Sequence, residues 1–558
     1  MPPINKNIAV LDRKEWQMMT PAPVNTAAGS FVIAAGSGYR DNAMYVNNAT
    51  VQLLYSHNED AWLQIPSGAL AGTFGAGACG AYTPWSITYT ANGGSTTTVT
   101  VAAATHNITG ECRGDTIEFI SAGAATGQRR KITAISNQAG AGTVTMQLDS
   151  PVATAILNGH TFRTTSGRFF VMSAGTTAAG SWKAFDVSTR AWQASLVTTN
   201  LPATWGTDGK AVSTARIATV LANGTATSGS TTTIVDTAQN WETDQFRGFY
   251  VLIVDGTGEG QCAKITGNTS TTLTVQDSKT GAALAVAPAA SSVYQIRSID
   301  TLASGVATSG SATTLVNSAK AWTANQWTNY QLRIVSGTGA GQIKTIVSNT
   351  ATTLTIGSGA TLDSTSVYEI EPCEDYIYLA GNNAVTMYRY SISANTWTVL
   401  APTTARTGAP STGMCLDFVG ETGSPLWADE NNISDGRFIY SMRGGAGALI
   451  DRFDIAGGTA GAGAWQAVNY VGFETFTTGS SAFQFGKFIY IKKDATKRYF
   501  KFDIPGNIMY PFNTDLYPDG AAVLGQKLWV RALDSTDEVA WVYSLDNTSS
   551  VLRRIGIV

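Results

Sequence analysis

Short runs rich in β-branched and aromatic residues recur along the chain, each bounded by Gly, Asn, Ser or a charged residue. They predict strands. NAMYVNN, RFFVMSAG, YIYLAG, RFIYSMRGG, KFIYIKK and KLWVRA are six such runs. Each is followed by a second strand that ends on an aromatic residue, and then by a tight turn. In the clearest cases the turn leads to a tryptophan at a fixed spacing: Tyr55 stands seven positions before Trp62, Phe185 before Trp192, and Tyr390 before Trp397. Looser versions pair Phe453 with Trp465 and Phe502 with Tyr510, and a last one holds Tyr543. The spacing predicts six antiparallel units of four strands. Sheets arranged radially leave a gap that widens outward, and large flat rings suit it.

A second periodicity is nested in the first. Residues 226–298 and 307–372 share ATSGS, then Trp241 and Phe246 or Trp322 and Trp327, then VLIVDGTGEGQ or LRIVSGTGAGQ, then TTLTV or TTLTI. From ATSGS to TTLT the offset is constant, so these are tandem copies of one all-β module. A diverged third copy covers roughly 90–165, with RGDTIEFISAGAATGQRRKITAI at its centre. In each copy the glycine phrase falls between two alternating strands. No Lys-Ser/Thr follows it and no helical pattern opens, so a hairpin loop is expected in place of a phosphate cradle.

GAGACGAY at 75–82 reads as the first strand of the unit that continues at RFFVMSAG, and STARIATVL at 213–221 as the first strand of the unit that continues at YIYLAG. The modules therefore occupy the same connection in two neighbouring units, and the shorter GETGSPLWADENNISD at 420–435 occupies it in the next. The expected organisation is an arm at 1–29, the first unit and the start of the second at 30–81, and a module at 82–167. The second unit and the start of the third then occupy 168–221, modules 222–298 and 299–372, and the remaining units 373–558.

FIYSMRGG with Gly444 and Gly445, the Tyr-x6-Trp pairs, and Arg406 in PTTARTGAP resemble the kelch repeat family. That resemblance implies a six-bladed β-propeller carrying three small barrel or sandwich modules, and implies no activity. The chain departs from the kelch pattern in having the double glycine in one unit only, and in lacking the tryptophan in the last two. The Trp-x4-aromatic and GTGxGQ module resembles β-rich repeats of phage tail and appendage proteins.

Composition narrows the partners. Charged residues are 13% of the chain and the net charge is −3. No basic field is expected for nucleic acid or an anionic membrane. The apolar stretch GAALAVAPAASSVY at 281–294 is shorter than a bilayer crossing and carries a proline. The N-terminal segment lacks the apolar run of a secretory signal. Five scattered cysteines, Cys79, Cys112, Cys262, Cys373 and Cys415, form no CxxC pair, which disfavours a zinc site and a disulfide framework.

Chemistry-bearing residues are sparse. His57, His106 and His160 fall in unrelated units, too few for the copper site of propeller oxidases. No GxSxG or HExxH occurs. Asp429, Glu430 and Asp435 are oxygen ligands in one loop without EF-hand spacing. The pairs Glu59-Asp60 and Glu374-Asp375 serve a glycosidase only if they converge in space, and turn polarity also accounts for them. Arg113-Gly114-Asp115 aligns with Arg247-Gly248-Phe249, which makes it framework. Trp85, Trp427 and Tyr510 are candidates for stacking on sugars or for filling sheet interfaces.

No catalytic, cofactor or metal residue is assigned, and ten aromatics are expected to pack the blades: Tyr55, Trp62, Phe185, Trp192, Tyr390, Trp397, Phe453, Trp465, Phe502 and Tyr543. The expected function is that of a non-enzymatic tailed-bacteriophage virion protein of the tail, neck or fibre region, made in the host cytoplasm. Other virion proteins and copies of itself in a ring or array are its expected partners. The alternatives are a glycan or receptor binder, a capsid decoration protein, and a carbohydrate-active propeller enzyme.

Overall fold

The structure is a computed structural model. It describes residues 78–102, 112–136, 143–173, 180–202 (apart from 190 and 194–195), 210–215, 220–297, 300–380 and 386–402, and elsewhere chiefly the strands of the remaining sheets. The protein is all-β, 53% strand and 2% helical, so its packing surfaces are sheet faces.

Among the described residues, six sheets have four antiparallel strands each. Their first strands are Phe31–Ala34, Cys79–Thr83, Lys210–Ser213, Ser411–Val419, Ser481–Phe485 and Lys527–Arg531. These six strands touch one another in that order, and the sixth touches the first, so the contacts form a closed cycle. The last sheet takes its fourth strand, Gln17–Met19, from the opposite end of the chain, paired to Leu552–Ile557. In the third sheet the first strand lies at Lys210–Ser213, just upstream of the stretch read from the sequence, and Val220 and Leu221 join another sheet.

Neighbouring four-stranded sheets bury apolar faces against each other. Phe170, Trp182 and Ala184 of the second meet Leu379, Tyr390 and Trp397 of the third. Leu54 and Ile65 meet Phe169 and Phe185, and Tyr440 and Ile450 meet Ile489 and Phe502. Four aromatic pairs sit directly opposite across the third and fourth strands: Tyr55 and Trp62, Phe185 and Trp192, Tyr390 and Trp397, Phe453 and Trp465, with ring centroids 4.9, 5.3, 4.9 and 5.2 Å apart.

The seven-residue spacing has a local cause. The Tyr55 hydroxyl donates to Asp60 at 2.6 Å and that of Tyr390 to Asn395 at 2.8 Å. Asp60 and Asn395 both take the left-handed conformation that turns the chain towards the tryptophan. Phe502 faces Met509, whereas Tyr510 faces Lys501 and is 38% exposed. Tyr543 lies in the strand Ala540–Leu545, and its side chain is outside the described residues.

Three further sheets lie, in sequence, between directly paired strands of the four-stranded sheets. A closed barrel runs Arg129–Ser136, Val144–Leu148, Thr98–Val101, Tyr89–Gly94, Asn158–Thr164, Thr116–Ser121. It falls between Cys79–Thr83 and Arg168–Met172, which pair with each other. Two seven-stranded sheets with the same strand order fall between Lys210–Ser213 and its partner Tyr376–Ala380. In the first, Tyr250–Asp255 is flanked by Val293–Arg297 and Cys262–Asn268; in the second, Tyr330–Ser336 is flanked by Val367–Pro372 and Ile343–Asn349.

Candidate functional site: a buried charge core and its cleft

The glycine phrase closes the hairpin between Tyr250–Asp255 and Cys262–Asn268, and again between Tyr330–Ser336 and Ile343–Asn349. Its three glycines all have positive φ, between 72° and 85°. The glutamine that ends it anchors the loop: Gln261 Oε1 accepts from the Val286 N–H at 2.9 Å, Gln342 Oε1 from Thr361 at 3.1 Å, and in the barrel Gln128 Oε1 from Ala153 at 3.1 Å. The last glycine has a second task. A Cβ on Gly127 would lie 2.4 Å from the Gly341 nitrogen, and one on Gly260 would lie 2.7 Å from the Gly305 carbonyl carbon. The repeated phrase therefore meets the neighbouring sheet backbone to backbone, which no larger residue permits.

Where the three sheets meet, strand register places charges on one buried face. Glu118 lies opposite both Arg129 and Arg163 in the barrel, and Arg333 opposite Glu369 with Gln331 opposite Glu371 in the second seven-stranded sheet. Arg297 arrives from the first. Arg333 pairs directly with Glu118, and Arg297 with Glu369. Arg333 also reaches Glu371 at 3.0 Å and Glu374 at 2.8 Å, while Arg163 bridges Glu118 and Glu374, each at 2.7 Å. Trp85 completes the group, its indole N–H donating to Glu374 at 2.6 Å and its ring lying 4.2 Å under the Arg163 guanidinium.

Four arginines (129, 163, 297 and 333) balance four glutamates (118, 369, 371 and 374), so the ensemble is formally neutral. Arg129, Arg297 and Arg333 are each 1% exposed. Burial alone would push the Glu118 carboxyl up; the guanidiniums of Arg333, Arg163 and Arg129 outweigh it and hold Glu118 below the ordinary range. Glu371 is lowered in the same way, by Arg333 and then Arg129 and Arg297 acting against burial. Arg333 is raised because Glu118, Glu371 and Glu374 overcome its burial. Buried pairs of this kind add little net stability over an apolar packing, but loss of one partner strands a charge. Here the pairs join the barrel to the second seven-stranded sheet and that sheet to the first.

Beside the core opens a cleft of about 390 Å³ between the segment Trp85 to Thr88, Arg168, Ile343 and Thr345, the segment Cys373 to Asp375, and Ile392 and Ser393. Cys373 is buried there, its thiol pushed up by burial and by Asp375. Asp375 is raised by burial despite accepting from the Ser391 hydroxyl and the Ser393 N–H.

The positions singled out from the sequence fall as follows. Trp85 is 2% exposed and belongs to the charge core, which removes it from the surface aromatics. Gly114 and Gly248 share one conformation, φ 90° and 89°, and one hydrogen bond, each N–H donating at 2.8 Å to the equivalent carbonyl, and Asp115 is buried. The Arg-Gly-Asp triplet is framework. His160 accepts from the Leu157 N–H. Asp60 and Asp375 hold turns, and Glu374 belongs to the core. His57, Glu59, His106, Arg406, Trp427, Asp429, Glu430 and Asp435 lie outside the described residues, as does the side chain of Cys415. Among the described residues no His, Cys, Asp and Glu group is arranged to hold a metal ion, and no helix is long and apolar enough to cross a membrane.

The charge core has a sequence signal of its own. TIEFI, QLRIV, YEIEP and YQIRS each place charged residues inside an otherwise apolar strand. Charges there are buried, and buried charges need partners.

No known protein family matches the chain, and no curated protein does. Solved structures that overlap it include a structural-genomics protein of unknown function from Bacteroides thetaiotaomicron, 13% identical, covering 62% of this chain and 88% of its own, with a TM-score of 0.20. An auxiliary nutrient binding protein from Bacteroides thetaiotaomicron is 9% identical, covering 86% and 97%, with a TM-score of 0.23, and one from Bacteroides ovatus is 10% identical, covering 83% and 82%, with a TM-score of 0.22. Superpositions of this quality carry no argument about function.

Proposed function

We propose that the six four-stranded sheets are blades of a propeller and that the barrel and the two seven-stranded sheets are modules inserted into the first connection of two neighbouring blades. The closed cycle of first strands supports this reading. A density map with the six sheets side by side in a row would overturn it.

On that scaffold the protein is a non-enzymatic structural component of a tailed-bacteriophage virion, in the tail, neck or fibre region, contacting other virion proteins and copies of itself. The observation that carries the structural reading is the neutral eight-residue charge core, which ties the barrel and the two seven-stranded sheets to one another by buried ion pairs. Its carboxylates are committed to arginines, which leaves them unsuited to proton transfer. The likeness of the modules to phage tail repeats supplies the virion assignment. Sedimentation of the expressed protein with assembled particles, at fixed stoichiometry and in a ring or array, is the expected result. A protein found only unassembled beside complete particles would refute the assignment.

A further inference from the structure

The three module junctions are built alike but close differently. The barrel meets the first seven-stranded sheet where the Val220 N–H donates to Thr116 Oγ1 at 2.9 Å and Asn223 donates to Asp149 at 3.0 Å. In the first seven-stranded sheet the strand after the glycine phrase, at Cys262, meets Asp300, just ahead of the next sheet, and Lys279 seals the seam by reaching Asp300 and the Thr301 carbonyl. In the second, the same position is Ile343. It faces Trp85 to Thr88, just ahead of the barrel, across the open cleft.

The cleft contains a cation that the charge core does not use. Arg168 donates to the Trp85 carbonyl at 3.3 Å and to Gln193 Oε1 at 3.5 Å, and lies 5.3 Å from the Phe170 ring. Among the described residues it has no carboxylate within the 4.0 Å of an ion pair. Asp186 stands opposite Arg168 across the strand pair and acts on it electrostatically from beyond ion-pair distance while accepting from Ser86, Ile87 and Ser188; Glu374 is paired with Arg163 and Arg333, and Asp375 accepts from Ser391 and Ser393. Thr88, Thr345 and Ser393 supply polar groups around it, and Ile87, Ile343 and Ile392 supply apolar wall. A volume of about 390 Å³ is within the range of small-molecule clefts.

We infer that this cleft binds an acidic monosaccharide unit, its carboxylate on Arg168 and its hydroxyls on the Thr88, Thr345 and Ser393 side. A guanidinium whose hydrogen-bond partners are neutral, with no carboxylate in ion-pair contact, is a fork that a ligand carboxylate can still engage. The several hydroxyl-bearing side chains match a ligand with many hydroxyls better than a bare anion. The site stands independently of the virion assignment: failure to bind sugar leaves the particle result untouched, and failure to join particles leaves the cleft untouched.

Isothermal titration of the full chain with glucuronic acid and N-acetylneuraminic acid tests it, with glucose and acetate as controls. One of the two acids is expected to bind at least tenfold more tightly than either control. Arg168→Gln is expected to weaken it at least tenfold, with Arg168→Lys retaining part of the affinity. If the arginine variants fail to fold, Ser393→Trp, at the exposed rim, is expected to abolish binding while the protein stays folded. Silence with both acids, acetate binding as tightly as the acids, glucose binding equally well, or a folded Arg168→Gln that binds undiminished would each overturn the inference.

Discussion

The two seven-stranded sheets are twins in everything except the face they turn to their neighbours. They share strand order, the hairpin glycines and a buried asparagine: Asn268 accepts from the Phe246 N–H and Asn349 from that of Trp327, both at 2.8 Å. Register makes Leu252, opposite Gln295, the counterpart of Arg333, opposite Glu369. The barrel has Glu118 opposite Arg163 at that place. One position thus reads Glu, Leu and Arg in three related modules, and the Glu and the Arg bind each other. The like sheets share their cores and loops and differ where each meets its neighbour.

Replacing Arg333 with the residue of its twin attacks that difference directly. Arg333→Leu leaves Glu118, Glu371 and Glu374 buried with a cation missing, and about 3–5 kcal/mol of stability should be lost in denaturant unfolding. A loss under about 1 kcal/mol would mean that removing the cation strands no buried charge.

The same core sets a pH response. Glu118 and Glu371 have folded pKa values below their unfolded value of about 4.3. Their contribution is therefore complete above that unfolded value and declines only as pH falls below it, towards the lower folded values. Unfolding midpoints should be flat from about pH 8 to pH 5 with respect to this core and fall beneath it, and Glu371→Gln should shallow the fall.

Glycine substitutions separate contact from conformation. Gly341 and Gly359 have similar φ, 82° and 80°, but a Cβ on Gly341 would lie 2.9 Å from the Gly127 nitrogen, whereas one on Gly359 would meet only the end of Lys344, at 3.8 Å. Gly341→Ala should cost about 1–3 kcal/mol more than Gly359→Ala in thermal unfolding. Equal costs would show that the inter-module approach is unimportant.

The smallest effect concerns what the twins share. Gln261→Ala and Gln342→Ala each remove a loop anchor, and each should cost about 1 kcal/mol, with the two values alike. Clearly different values would break the equivalence of the loops.

The strands, the aromatic pairs and the likeness of the two seven-stranded sheets were legible because they are periodic: Tyr55, Tyr390 and their tryptophans repeat a spacing that a single hydrogen-bonded turn enforces. The glycine phrase was legible as a hairpin, but its contact across modules was not, since Gly127 and Gly341 are neighbours only in space. The charge core was hidden for the same reason. Glu118 and Arg333 are 215 positions apart, and each reads alone as an odd residue in an apolar strand. Trp85 stayed open between sugar platform and interface filler because exposure is a property of the assembled neighbours.

The way the chain enters and leaves the barrel and the two seven-stranded sheets also has a mechanical consequence. It crosses four times, after Thr83, before Arg168, after Ser213 and before Tyr376, and the crossings are anchored on two adjacent four-stranded sheets. A single pair of crossings would act as a swivel. Two pairs side by side resist torsion, so a twist or pull applied to the far side of the block is delivered in parallel to both sheets and shared between them.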